Sequence, residues 1–209
     1  ANDGSQPLFV TYDGTHGVQA AAFILSGTAV DTPAELAAAT ATQIVSIDAL
    51  TANMTGTTGN VQALRIRTTA NTNQQVNTGT ITIGASAGSG QGAGLFLAHT
   101  ADNENTHSAN FTFAGGQEGL IYTSTTGGSS IVRLNGNITS TNGLTTFGDG
   151  ALRLGGTNNF GGPLTINAGQ VRLASVAAAG PVTGTPTEIN LWGGALYSGS
   201  SQRFNNNVN

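Results

Sequence analysis

The sequence predicts an all-β fold of the parallel β-helix or β-solenoid type. Three observations predict it: a composition suited to repetitive strand, an apolar alternation that recurs along the chain, and glycine-rich corners between the repeats. Of 209 residues only 8% are charged and 6% aromatic, whereas glycine numbers 31. Polarity therefore comes from Thr, Asn and Ser, which face water from a strand without adding charge, and glycine serves the corners. The recurring device is two apolar residues flanking one that points the other way. It appears as Val45-Ser46-Ile47, Leu64-Arg65-Ile66, Ile81-Thr82-Ile83, Leu95-Phe96-Leu97, Phe111-Thr112-Phe113, Val132-Arg133-Leu134, Leu152-Arg153-Leu154, Val171-Arg172-Leu173 and Ile189-Asn190-Leu191. The centres advance by about 14 to 21 residues, near the length of one solenoid coil.

Taken from the N-terminus, residues 1–40 form a cap or edge segment, with Phe23-Ile24-Leu25 as an early rung. Within it the run Asp31-Thr32-Pro33-Ala34-Glu35-Leu36 holds a capping residue, a proline suited to the first helical position and a first-turn glutamate. One short helix near residues 33–39 follows, placed to cover an end or edge of the solenoid. Residues 41–209 form one continuous domain of about eight to ten coils. Leu144-Thr145 and Leu164-Thr165-Ile166 lie part-way between triplets and indicate a second strand per coil. Each triplet turns its outer side chains inward, so Arg65, Arg133, Arg153 and Arg172 are expected to project to solvent. Corners fall at Gly115-Gly116, Gly127-Gly128, Gly148-Asp149-Gly150 and Gly161-Gly162-Pro163. An antiparallel sandwich also has many short strands, but it has no reason to repeat one triplet at one spacing.

The formal charge of −4, with no lysine and six dispersed arginines, argues against a nucleic-acid partner. Zero cysteines remove disulfides and thiolate chemistry together. No apolar run approaches the roughly 18 to 20 residues of a membrane-spanning helix. The N-terminus lacks the pattern of a secretion signal, so the chain reads as a mature or excised piece.

Residues 143–173 carry a denser pattern, with Gly148, Gly150, Leu152, Leu154, Gly156, Asn158, Gly162, Ile166 and Gly169 in one frame and Phe160 among them. This stretch resembles the autotransporter-associated β-strand repeat of bacterial surface and secreted proteins. It departs from that pattern at Thr146, Pro163 and Val171, where the family has lysine, threonine and leucine. The resemblance implies a right-handed parallel β-helix, an extracellular or cell-surface location, and no catalytic residue.

Chemistry-bearing residues are sparse. His99, Asp102, Glu104 and His107 lie within one short stretch and could ligate a divalent metal, but their spacing matches no compact metal motif, so the stretch is read as a solvated loop with no metal site. Asp13, Asp48, Asp102, Glu104, Glu118, Asp149 and Glu188 do not recur at coil spacing, so no acidic cleft and no enzyme is expected, and no cofactor. Trp192 and Tyr197, with Tyr12 and Tyr122, are candidates for a platform that stacks on glycans, against the reading of core packing or aromatic stacking between coils. The expected role is a structural stalk, surface-layer element or filament subunit that associates end to end or with flanking repeats. A glycan-binding adhesin is the second reading and a polysaccharide-degrading β-helix enzyme the third.

Overall fold

The computed structural model describes residues 10–13, 15, 17–20, 32–48, 53–68, 75–84, 93–99, 105–114, 116–125, 131–181 and 187–199. They are mostly strand, with one short helix and one 3-10 turn among them. An antiparallel pair, β1 (Val10–Asp13) and β2 (Gly17–Ala20), precedes α1 (Pro33–Ala37). Among the described residues all remaining pairing is parallel and falls into three sheets. Sheet I holds β3 (Ile44–Ile47), β5 (Ala63–Thr68), β7 (Ala93–His99), β10 (Gly119–Thr125), β13 (Leu144–Gly148), β16 (Leu164–Ile166) and β18 (Ile189–Leu191). Sheet II holds β8 (Asn105–His107), β11 (Ile131–Leu134), β14 (Ala151–Leu154), β17 (Gln170–Leu173) and β19 (Ala195–Ser198). Sheet III holds β4 (Met54–Val61), β6 (Val76–Ile83), β9 (Asn110–Phe113), β12 (Ile138–Ser140) and β15 (Asn159–Phe160).

From β7 to β15 the chain visits sheets I, II and III in that order, three times over. After β17 the 3-10 turn Val176–Ala179 stands in sequence where a sheet III strand would follow, and β18 and β19 return to sheets I and II. Three strands thus recur per circuit, where the alternation suggested two. The nine triplets do not form a single ladder. Those centred on Ser46, Arg65, Phe96 and Asn190 lie in sheet I, those on Thr82 and Thr112 in sheet III, and those on Arg133, Arg153 and Arg172 in sheet II. Their even spacing mixed whole circuits with part circuits. A true step runs from Ser46 to Arg65 but then from Arg65 to Phe96, so circuit length varies from about 20 to about 30 residues. Corner segments absorb the difference, because parallel pairing constrains only the strands.

The core is built by stacking like upon like. One inward row of sheet I runs through Val45, Leu64, Leu95, Ile121, Thr146, Ile166 and Leu191, each in register with the next. Sheet II contributes Val132, Leu152, Val171 and Leu196 in register. In sheet III Phe111 sits between Ile81 and Ile138. Buried members of all three sheets belong to one hydrophobic cluster. Each fully buried Leu, Ile or Phe contributes roughly 1.5–3 kcal/mol relative to exposure.

Corners are tied to neighbouring circuits. Asn158 is buried; its Oδ1 accepts from the Ile138 N–H at 2.8 Å and its Nδ2 donates to the Ala178 carbonyl at 2.8 Å. Gly148, at φ 110, ends β13 where an added Cβ would lie 2.1 Å from the Thr123 carbonyl oxygen, so this corner of the Gly148-Asp149-Gly150 turn admits only glycine. At the other extremity α1 is shorter than the sequence suggests, ending at Ala37 with Ala38 as its cap. Thr32 accepts from the Glu35 N–H while the Glu35 carboxylate accepts from the Thr32 N–H, a reciprocal capping box. The helix lies over β4, the outermost described strand of sheet III. Leu36 is fully buried there and occupies the space a side chain at Gly59 would need, 2.9 Å from the added Cβ. The early rung expected at Phe23-Ile24-Leu25 lies outside the described residues.

Candidate functional site

Sheet II presents one outward row whose members are set by register alone. Thr106, Arg133, Arg153, Arg172 and Tyr197 are successive partners on β8, β11, β14, β17 and β19. Their flanking residues Val132, Leu134, Leu152, Leu154, Val171 and Leu173 are buried, so the strand pleat forces the arginines to the opposite face. All three arginines are partly exposed and Tyr197 is exposed. Neighbouring strands lie about 4.8 Å apart, so the row places like charges side by side. At that separation two unit charges repel by about 1 kcal/mol even in water. Within this row Arg153 Nη1 donates to Asn135 Oδ1 at 3.0 Å, and the Arg172 guanidinium stands 5.6 Å from the Tyr197 ring centroid.

Arg65 behaves differently from the outward expectation. It is 5% exposed, its Nε donating to Ser46 Oγ at 2.7 Å and its Nη2 to Asp48 Oδ2 at 3.0 Å. Asp48 also accepts from Ser46 Oγ at 2.6 Å and faces Arg67 Nε at 3.6 Å. The acid directly follows the Val45-Ser46-Ile47 triplet of the neighbouring strand, and the strand on the other side supplies Phe96 in register, so the arginine is covered and paired. On the same outward row of sheet I, Phe96 stacks on Tyr122 at 4.7 Å and Tyr122 meets Phe147 edge-on at 5.2 Å. The partners of Tyr122 in this stack are not legible in the sequence, because they lie in strands whose register only the fold supplies.

The histidine stretch is brought together, though inside the protein. His99 ends β7, while Asn105 and His107 are inward residues of β8 in register with Val132 and Leu134; all three are buried. The solvated-loop reading therefore fails for these residues. The two imidazoles are 6.1 Å apart between centroids. The Asn105 amide meets His99 Nδ1 at 2.5 Å, and His107 Nδ1 accepts from the Val76 N–H at 3.2 Å. Burial, and then the charge of His107, hold His99 down to about 3, and burial holds His107 down to about 4. Both rings are thus neutral at physiological pH. Asp102 and Glu104 lie outside the described residues, and among the described residues no three His, Cys, Asp or Glu side chains cluster to hold a metal.

The remaining carboxylates have local uses. Glu118 accepts from Thr145 Oγ1, Asp149 sits in a corner bend and Glu188 immediately precedes β18. The side chain of Asp13 and that of Tyr12 lie outside the described residues. Trp192 and Tyr197 are 73% and 46% exposed and follow or occupy the last described strands of sheets I and II. Leu191 beside them is 36% exposed although it belongs to the inward row of sheet I. Among the described residues, then, the core is covered at its α1 end and exposed at its β18–β19 end. No helix among them is long and apolar enough to cross a membrane. Comparison with known proteins found no matching family model, curated relative or solved structure.

Proposed function

We propose that this chain is a right-handed parallel β-helix segment with a structural role in an extracellular or cell-surface protein, a stalk or filament subunit whose residues 1–40 act as a cap. The resemblance of residues 143–173 to the autotransporter-associated repeat supports the location and the handedness. The observation that carries the structural role is the asymmetry of the two ends. Leu36 closes the core beneath α1, whereas Leu191 and Trp192 leave it open beyond β18. Among the described residues the apolar row of sheet I ends at a partly exposed Leu191 on the last strand, which makes that edge a template for one more coil, from a second copy or a flanking repeat.

Sedimentation across a concentration series, with negative-stain microscopy, tests this reading. End-to-end rods or filaments that lengthen with concentration are expected, and Leu191→Lys shifts the population to single particles without changing the circular dichroism spectrum. A chain that stays single at every concentration, with Leu191→Lys indistinguishable from the parent, overturns it. A second reading, a glycan-binding adhesin, is favoured by the exposed Trp192 and Tyr197 and by the arginine row that leads to Tyr197.

A further inference from the structure

We propose that the outer face of sheet II binds a linear acidic polysaccharide, its carboxylates lying along the row Arg133, Arg153 and Arg172 and its chain ending against Tyr197. The proposal makes the adhesin reading specific, rests on the same lateral face, and does not depend on end-to-end stacking.

Three observations converge on it. The chain has only six arginine and lysine side chains, and three of them occupy successive positions of one row. Two others, Arg65 and Arg67, are directed at Asp48, whereas Arg153 donates to an amide and Arg172 stands over an aromatic ring. The arginines also stand on strands whose flanking residues are locked in the core, which fixes their spacing before any ligand arrives.

The chemistry selects the occupant. A guanidinium is planar and takes a carboxylate through two parallel N–H···O bonds, an arrangement lysine does not reproduce. A polyuronate carries one carboxylate per sugar ring along an extended chain, a charge spacing of the same order as the strand spacing of about 4.8 Å. Tyr197, exposed and already under Arg172, adds an amphipathic ring with a polar tip for a hydroxyl-rich sugar. Nucleic acid suits the face less well. Tight binding to phosphates draws on about six to ten contacts and releases many counterions, which three arginines on a chain of net charge −4 do not supply.

The test uses the whole chain and polygalacturonate as the probe, with neutral dextran and oligothymidylate as comparison ligands, at low and at physiological salt. Polygalacturonate is expected to bind, dextran not, and oligothymidylate more weakly. Arg153→Gln and Arg172→Gln should each weaken polygalacturonate binding by about tenfold or more. Arg153→Lys keeps the charge and should still lose part of the affinity, because the paired geometry is gone. Gln170→Lys adds a cation at an exposed position beside the row and should strengthen binding, an arm that does not rely on removing anything. Absence of polygalacturonate binding at low salt overturns the proposal. So does binding that is indifferent to the arginine variants, or oligothymidylate binding of equal strength with the same dependence on them. If a glycan binds and only Trp192→Ala abolishes it, the adhesin reading survives and this face is wrong.

Discussion

At the scale of the residue, what stands beside a side chain in register matters more than its identity. Arg65 and Arg153 occupy the same outward place in look-alike triplets, yet one is covered and ion-paired while the other is partly exposed in a row of arginines. Local sequence cannot separate them, since the difference is made by Asp48 and Phe96 on one sheet and by Arg133 and Arg172 on another. The buried imidazoles carry a consequence for pH. Their folded values of about 3 and about 4 lie below the unfolded value near 6.5, so the unfolded chain binds more protons in between. Stability is therefore complete above pH 6.5 and falls as pH drops toward 4 and then 3, by at most about 1.4 kcal/mol per pH unit for each histidine. Urea melts between pH 7 and pH 4 should show this decline, and a His99→Gln, His107→Gln double variant should flatten it. A pH profile unchanged by that variant would place the acid sensitivity elsewhere.

At the scale of the element, each strand is short and gains its stability from the strands above and below it. α1 illustrates the converse, a five-residue helix too short to persist alone. Its capping box closes the first turn, and Leu36 anchors it over Gly59 of β4. Leu36→Ala removes a fully buried side chain from a site that can collapse only partly, and should destabilise the chain by about 2–5 kcal/mol. Thermal or urea unfolding monitored by circular dichroism measures it. The helix, its proline and its glutamate were all readable in the sequence because capping is a local hydrogen-bond problem. Its length was overestimated because Ala38 and Ala39 are good helix formers that nothing local forbids, and the helix nevertheless stops at Ala37.

At the scale of the whole molecule, parallel strands stacked in register make a nearly one-dimensional object in which each circuit contacts its neighbours. Protection should then follow position in the stack rather than position in the chain. Amide hydrogen exchange is expected to be slowest in β10, β13 and β16, which have partners on both sides in sheet I, and faster in β18 and β19 at the exposed end. Uniform protection from β10 to β19 would show that the β18–β19 end is covered in solution. The same geometry joins the two functional readings, since stacking uses the ends of the sheets and glycan binding uses a lateral face, leaving both free to operate at once.

The amino-acid sequence alone determined the class of structure. Low charge, frequent glycine and a two-residue apolar alternation make strands whose inner faces must be buried on one another, and this followed from composition and periodicity without any contact being known. It also determined where most strands lie, because inward residues such as Leu152, Leu154, Val171 and Leu173 are marked by their own hydrophobicity. Only the tertiary structure decided which strand neighbours which. Three sheets share one local signature, so the triplets gave no sign that Thr112 belongs to sheet III and Arg133 to sheet II. Two of the candidate sites lay beyond reach for that reason: the arginine row and the aromatic stack are each made by register between strands distant in sequence, whereas the histidines are close in sequence and only their burial is decided by the fold.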